Sequence, residues 1–296
     1  KCALVTNTTA SNNVAVGEVA LRLNTTGANN TAIGRGSLAS NTTGSKVTAL
    51  GVSALHNNTT ADNNVAIGCG ALLTNTTGAE NNALGNSSLC ANTEGNNNTA
   101  LGHLALRANT TASDNTAVGY SALTANTTGT QNVAVGSGAL DSNTTAGCNV
   151  GVGHGALADN TTGSRNIAMG RNALGSNTTA SCNTGLGHSA LVFTTTGADN
   201  TAVGTNSLLT NTTGASNVAV GMCSLYSNTT GAGNTGIGFK ALFAVAGNGT
   251  DNSAVGCGAL CSVTTGDGNV GMGYAAGNAI TTGSDNTILG RDAGRS

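Results

Sequence analysis

The side chains that could do chemistry in this chain are few and scattered. The four histidines, His56, His103, His154 and His188, are many residues apart, and the 12 Asp and Glu residues are dispersed, with no carboxylate pair. No Asp-rich calcium-binding turn of the kind found in calcium-dependent β-rolls is present. Catalysis requires different polar groups to converge in one pocket. We therefore expect that the protein is not an enzyme and uses no metal or cofactor.

The eight cysteines are the most reactive groups, and they occupy variable positions without the Cys-x-x-Cys spacing of zinc sites. Cys257 and Cys261 could form a disulfide if a turn brings their Cα atoms within about 7 Å. Cys69 and Cys90 occupy the same two repeat positions as Cys257 and Cys261, but in adjacent repeats, and are a second candidate pair. The remaining thiols are expected to be free or to link chains. Cysteine usage weakly favours an oxidising, extracellular setting.

The triplet Asn-Thr-Thr recurs in register and is formally an acceptor for N-glycosylation. Two interpretations stay open: a modified asparagine on an exposed turn, as in a secreted protein, or unmodified turn residues that bond locally. The twelve candidate asparagines are Asn7, Asn24, Asn41, Asn58, Asn75, Asn109, Asn126, Asn143, Asn160, Asn177, Asn211 and Asn228.

Composition excludes several classes of protein. Only 7% of the 296 residues are charged and the net charge is −2, so a run of phosphates could not be neutralised and nucleic-acid binding is not expected. No apolar run approaches the roughly 18 residues of a membrane span. The chain has 45 Gly and no Pro, and 38% of its residues are hydrophobic and regularly placed, which does not fit a disordered coil.

Periodicity predicts the fold. A glycine after an Ala-aliphatic pair, here called the anchor glycine, recurs 17 times; 15 of the 16 intervals are 17 residues, and the interval from Gly238 to Gly256 is 18. The anchors are Gly17, Gly34, Gly51, Gly68, Gly85, Gly102, Gly119, Gly136, Gly153, Gly170, Gly187, Gly204, Gly221, Gly238, Gly256, Gly273 and Gly290. Seventeen residues are too few for a helical repeat. They predict an all-β parallel β-solenoid of about 17 coils, one continuous array over 1–296 that is uncapped at both ends.

Each coil is predicted to hold two short strands and two turns. The first strand is Asn-Thr-Ala-Val-Gly, as in 115–119, and its β-branched residues favour a pleated surface. The second is the Ala-Leu segment, as in 122–125. The Asn-Thr-Thr-Gly segment is predicted to be a turn in which the glycine supplies a positive φ.

Four positions of the repeat are nearly constant and are named here. The aliphatic column lies one residue before the anchor (Val118), the small column two before (Ala117), the strand-side Asn column four before (Asn115), and the leucine column four after (Leu123). We expect the aliphatic and leucine columns to fill each coil and the small column to face outward against another protomer. The strand-side asparagines, absent only at Val47, are expected to form a ladder from coil to coil.

The motif Asn-Thr-Ala-Val-Gly-x-x-Ala-Leu resembles the head repeats of trimeric autotransporter adhesins. The longer Thr-Ala-Ile-Gly-x-x-Ala-Leu-x-x-Asn-Thr-Thr-Gly form resembles repeats of phage tail fibres and bacterial surface proteins. The resemblance covers essentially the whole chain, although the repeat is longer than that of adhesin heads. It implies a left-handed β-roll and a homotrimer.

These patterns predict a structural shaft or head of an extracellular, cell-surface or virion-borne fibre that acts by rigidity and surface attachment. Its expected partners are further copies of itself, in a homotrimer or end to end, and a cell-surface glycan or receptor. The alternative is a ligand-binding solenoid for glycans or ice. The paired threonines, such as Thr25 and Thr26, favour that alternative, although only one of each pair can point outward.

Overall fold

A computed structural model describes residues 2–295. The chain divides into two compact units, Lys1–Cys148 and Asn149–Ser296, and each is described by itself. The first unit holds strands β1 to β8 and the second holds β9 to β17. All the strands have three residues: β1 Val14–Val16, β2 Thr31–Ile33, β3 Thr48–Leu50, β4 Val65–Ile67, β5 Asn82–Leu84, β6 Thr99–Leu101, β7 Thr116–Val118, β8 Val133–Val135, β9 Val150–Val152, β10 Ile167–Met169, β11 Thr184–Leu186, β12 Thr201–Val203, β13 Val218–Val220, β14 Thr235–Ile237, β15 Ser253–Val255, β16 Val270–Met272 and β17 Thr287–Leu289.

Within each unit, consecutive strands pair in parallel and in the register that the repeat predicts. In the first unit Ala117 pairs with Ala134, and in the second Ala202 pairs with Ala219, so equivalent residues stack on one another. The extra residue of the interval after Gly238 does not disturb the ladder, because Thr235 still pairs with Ser253. The predicted all-β parallel β-solenoid is therefore confirmed.

The second predicted strand is wrong. The Ala-Leu segment is a stack of turns in which alternate residues take the left-handed conformation: φ is 54° at Ser121 and 52° at Leu123. Its N–H groups still bond from coil to coil, since Leu123 N donates to Ala139 O at 3.0 Å. A left-handed L-residue costs about 1–2 kcal/mol. Burying a leucine side chain contributes about 1.5–3 kcal/mol, which offsets that cost.

The predicted orientation of the strand columns is also wrong. Ala117 and Ala134 of the small column are 0% exposed, whereas the aliphatic column points outward, with Leu84 47% exposed. The leucine column lies inside, as predicted. Its side chains face the small column and limit the size of the residues there. A Cβ added to Gly271 would lie 2.6 Å from Leu260 Cγ. The size limit on the small column therefore comes from the leucine within the same coil stack and not from a neighbouring protomer.

The anchor glycine is required both by its backbone conformation and by stacking. Gly119 has φ +138°, and a Cβ there would lie 2.6 Å from the carbonyl oxygen of Gly136 in the following coil. By contrast, Gly27 of the Asn-Thr-Thr-Gly turn has no positive φ, contrary to prediction, and the left-handed residue of that turn is Asn29, with φ 60°. Gly27 is small because a Cβ would lie 2.6 Å from Asn24 Oδ1.

Candidate functional site

The predicted strand-side Asn ladder is present inside the coils. Asn30 is fully buried, and its N–H donates to Asn13 Oδ1 at 2.9 Å. In some coils the side chains also bond directly, as where Asn98 Nδ2 donates to Asn81 Oδ1 at 3.1 Å. The exception, Val47, is buried as well and still donates its N–H to Asn30 Oδ1. The ladder ties the backbone of each coil to the side chain of the one before it.

A second ladder, which the sequence-based expectations missed, runs through the asparagines of the Asn-Thr-Thr triplets. These residues, seven after each anchor, form the turn-side Asn column. Asn41 Nδ2 donates to Asn24 Oδ1 at 2.7 Å, and Asn58 Nδ2 donates to Asn41 Oδ1 at 2.9 Å. Each bond points toward the preceding coil, so the ladder has a direction.

One backbone carbonyl joins the two ladders where a coil contains both the turn-side and the strand-side asparagine. Gly44 O accepts hydrogen bonds from Asn41 Nδ2 and from Asn30 Nδ2, both at 2.8 Å. The same pair of bonds recurs at Gly78 and at Ala112. Buried polar groups are costly unless they are paired, and this network pairs them on both sides of the coil.

The turn-side ladder is interrupted in the second unit. Thr194 and Val245 replace asparagine, and Val263 and Ile280 follow at the next two positions of the column. The Oδ1 atoms of Asn177 and Asn228 are the buried side-chain atoms without a hydrogen-bond partner in the described part of the chain. Both lie directly before a break, where the donor that would reach back to them is missing.

The burial of this column bears on the predicted glycosylation. Asn7 is half-buried, but the other eleven candidate asparagines are 0% exposed, so the premise of an exposed turn is wrong for them. Nδ2, the atom that would carry the glycan, is engaged inside the coil, for example in the bond from Asn126 to Gly129 O at 2.9 Å. A glycan on such an atom is incompatible with the folded coil. The sequence does hold a signal of burial, because the column varies to Thr, Val and Ile and never to a charged residue.

The two threonines of each triplet have different environments. Thr25 Oγ1 donates to the backbone oxygen of Thr42 in the next coil at 3.0 Å, and Thr42 bonds to Thr59 in the same way. The following residue, Thr26, is exposed. As expected, one threonine of the pair points outward, and the outward threonines make a column along each unit.

The outward face of the strands is uncharged and carries a continuous column of aliphatic side chains. It carries the aliphatic column and the first residue of each strand, which is usually Thr or Val, and none of these positions holds a charged residue. Several of the aliphatic side chains are substantially exposed, including Leu50 at 42% and Met169 at 46%. Large apolar surfaces of this kind on a folded chain mark interaction sites.

The cysteines and histidines lie on the outer surface or partly buried near it. Cys257 and Cys261 line one surface pocket. Their pairing and that of Cys69 with Cys90 stay predictions. Burial raises the pKa of the Cys90 thiol above its ordinary value, and the Arg107 guanidinium opposes that rise. Among residues 2–295 there is no group of three or more His, Cys, Asp or Glu that could hold a metal ion.

The described residues contain no helix of the length and apolarity that a membrane crossing requires. No protein-family model and no curated protein sequence matches the chain.

Proposed function

We propose that this chain is a structural element of an extracellular, cell-surface or virion-borne fibre, acting as a rigid shaft or head that mediates surface attachment. The observation that carries the proposal is the outward aliphatic column. Aliphatic side chains recur once per coil on a face without charge, while the interior is closed by leucine, alanine and two Asn ladders. A chain that served only as a soluble scaffold would gain from charge on that face.

Self-association through this face is the simplest use for it. A partner must present apolar side chains at the spacing of one coil to match the column along its length, and a second copy of the chain has that spacing. Closed cyclic assemblies are the commonest homo-oligomers, and the resemblance to adhesin heads favours a trimer. The small column, which is buried, takes no part in this contact.

Sedimentation of the purified chain and two variants tests the proposal. Val135→Glu places a charge on the outward face, whereas Thr145→Glu places the same charge on the exposed threonine column of the same coil. We expect the wild type and Thr145→Glu to assemble and Val135→Glu to dissociate, because like charges would meet across a dry contact. A monomeric wild type, or normal assembly of Val135→Glu, would contradict the proposal.

The exposed threonine column supports a second candidate function, a glycan- or ice-binding solenoid. Thr26, Thr43 and Thr77 are exposed at equivalent positions, and a charged residue, Glu94, replaces the threonine in the next coil. A regular array of hydroxyl and methyl groups is the surface expected for ice binding. Thermal hysteresis of a solution of the purified protein decides between the candidates: a strong signal that Thr43→Glu weakens would favour ice binding over the fibre.

A further inference from the structure

A surface pocket of about 470 Å³ interrupts the regular outer surface of the second unit. Two neighbouring coils line it. Phe239, Lys240 and Phe243 come from the coil anchored at Gly238, and Cys257, Cys261 and Ser262 come from the next coil. These residues occupy the outward, variable positions one, two, five and six after the anchor.

The pocket arises from a step in side-chain size between the two coils. The first coil places phenylalanine at positions one and five, whereas the next places the small Cys257 and Cys261 there, with Gly258 between them. The phenylalanine side chains of the first coil form the wall of the pocket, and the small side chains of the next coil form its floor. Because the coil backbone is held by its hydrogen bonds to neighbouring coils, the pocket is preformed.

Aromatic side chains are concentrated around this pocket. The chain has only three Tyr and three Phe, and four of the six, Tyr226, Phe239, Phe243 and Tyr274, lie between residues 226 and 274. Tyr226 and Phe243 stack with their ring centroids 5.2 Å apart. Phe239 remains 42% exposed. The interior is filled by leucine and alanine, so the core does not require these rings.

The one cation of the pocket has no anionic partner among the described residues. Lys240 is exposed, and its Nζ lies 5.4 Å from the Phe239 ring centroid and 5.2 Å from that of Phe243. Asp292 forms ion pairs with Arg291 and Arg295, in a different coil from Lys240. The pocket therefore combines two phenylalanine rings with one ammonium group that lies over both rings and has no anionic partner among the described residues.

We propose that this pocket binds a sugar ring that carries a carboxylate, such as a uronic acid residue of a surface glycan. The C–H face of the ring packs against Phe239 and Phe243, the carboxylate pairs with Lys240, and the Ser262 hydroxyl is available for a ring hydroxyl. The proposal rests on the proposed function, since it names the attachment site of the fibre. Metal binding is disfavoured because the ammonium group would repel a cation beside the two thiols.

The experiment is a titration of the reduced full chain, followed by backbone amide chemical shifts, with methyl β-glucuronide and with methyl β-glucoside. The two sugars differ only in the carboxylate. We expect the glucuronide to shift signals of residues 239–262 with a Kd of about 1 mM, and the glucoside to bind about tenfold more weakly, a difference of about 1.4 kcal/mol.

Three variants separate the contributions, and each introduces a residue that the repeat already uses at that position. Lys240→Ser should abolish the preference for the glucuronide, and Phe243→Ala should weaken both sugars. Lys46→Asn removes one exposed positive charge in the other unit at a position that holds asparagine in adjacent coils, and it should change nothing.

Equal binding of the two sugars by the wild type, shifts that map away from the pocket, or no shifts at about 20 mM glucuronide, far above the expected Kd, would overturn the proposal. These outcomes leave the fibre proposal intact, because Lys240 lies off the outward strand face and sedimentation reads assembly alone. Conversely, a monomeric chain that binds the glucuronide would refute the fibre and retain the site.

Discussion

The two units share one coil design and differ in the turn-side ladder. In the first unit this column is asparagine in every coil, from Asn7 to Asn143. In the second it is asparagine at Asn160 and Asn177, is broken at Thr194, and ends at Asn228. The unpartnered Oδ1 atoms of Asn177 and Asn228 lie in the second unit, one before each break.

The comparison shows that each break in the ladder leaves one buried Oδ1 acceptor without a hydrogen-bond donor, however many successive asparagines are missing. Val245, Val263 and Ile280 are three successive replacements, yet they leave a single orphan, at Asn228. The side-chain N–H donors next to a break keep their hydrogen-bond acceptors. Asn211 Nδ2, which follows a break, still bonds to Gly214 O at 3.0 Å and reaches Thr194 Oγ1 at 3.3 Å. An apolar residue stacked on another apolar residue adds no further unpaired group.

The largest effect is expected from a charge in the small column, which both units share. Ala134→Glu and Ala219→Glu each place a carboxylate at a site that is 0% exposed and faces the leucine column. We expect each to lower the free energy of unfolding by about 3–5 kcal/mol or more, because the buried charge is unpaired. Circular dichroism and chemical denaturation measure the loss. Val135→Glu, at the next residue, should leave the fold intact, and a folded Ala134→Glu protein of normal stability would refute the assigned interior.

Interrupting the turn-side ladder in the first unit should have the next largest effect on stability. Asn75→Val removes the donor that reaches Asn58 Oδ1 at 3.0 Å and leaves that buried atom unpaired. Gly78 O keeps its bond from Asn64, and Asn92 Nδ2 keeps Gly95 O. We therefore expect a loss of about 1–3 kcal/mol, the cost of one orphaned polar group.

The denaturation midpoint reports this loss. The matched control is Thr77→Val, which makes a similar change on the exposed surface two residues away and should be neutral within about 0.5 kcal/mol. Equal stabilities for the two variants would show that the ladder bond does not contribute.

Repairing a break in the second unit should stabilise the chain modestly. Thr194→Asn supplies a donor to Asn177 Oδ1 and an acceptor to Asn211 Nδ2, and we expect a gain of about 1 kcal/mol. Val245→Asn supplies a donor to Asn228 Oδ1, but the next residue of the column is Val263. The Oδ1 of the new asparagine would then be the atom without a donor, so no gain in stability is expected. Thermal melts of the two variants side by side would reveal the difference. A stabilising Val245→Asn would contradict the rule of one orphan for each break.

The smallest effect concerns two cysteines at the same repeat position, five after the anchor. Cys90 lies in the first unit and Cys261 in the pocket of the second. Burial raises the pKa of Cys90, so Cys90 carries less thiolate at about pH 8 than an ordinary thiol. We expect its alkylation to be slow there and to accelerate as the pH rises through that pKa. Cys261, in the other unit, serves as the reference site in the same reaction. Arg107→Ser should slow Cys90 further, and mass spectrometry of timed alkylation reads both sites.

The period of the sequence was sufficient to predict the fold class, the strand at each anchor, the register and the strand-side ladder. It could not orient the strand, because alternation places Ala117 and Val118 on opposite faces without saying which face is inside. The left-handed turns were not predictable either, since leucine rarely adopts that conformation and only its burial stabilises it there.

The candidate sites were less predictable than the fold. The turn-side asparagines carry a glycosylation motif that competes with a structural interpretation. The local hint of burial is that the column changes to uncharged residues in four coils, at Thr194, Val245, Val263 and Ile280. The pocket depends on the sizes of side chains in two adjacent coils at positions that vary freely. No motif records such a step between Phe243 and Cys261.

The most direct test is hydrogen exchange at the asparagine side-chain amides, followed by NMR of the chain labelled with 15N at asparagine. If the Asn-Thr-Thr asparagines form the interior ladder, the Nδ2 protons of Asn41, Asn58 and Asn126 should be protected on the timescale of minutes to hours that reports opening of the structure. The exposed Asn63 should exchange at the rate of a solvated amide. Fast exchange of the triplet asparagines, at the rate of Asn63, would place them on the surface and contradict the ladder.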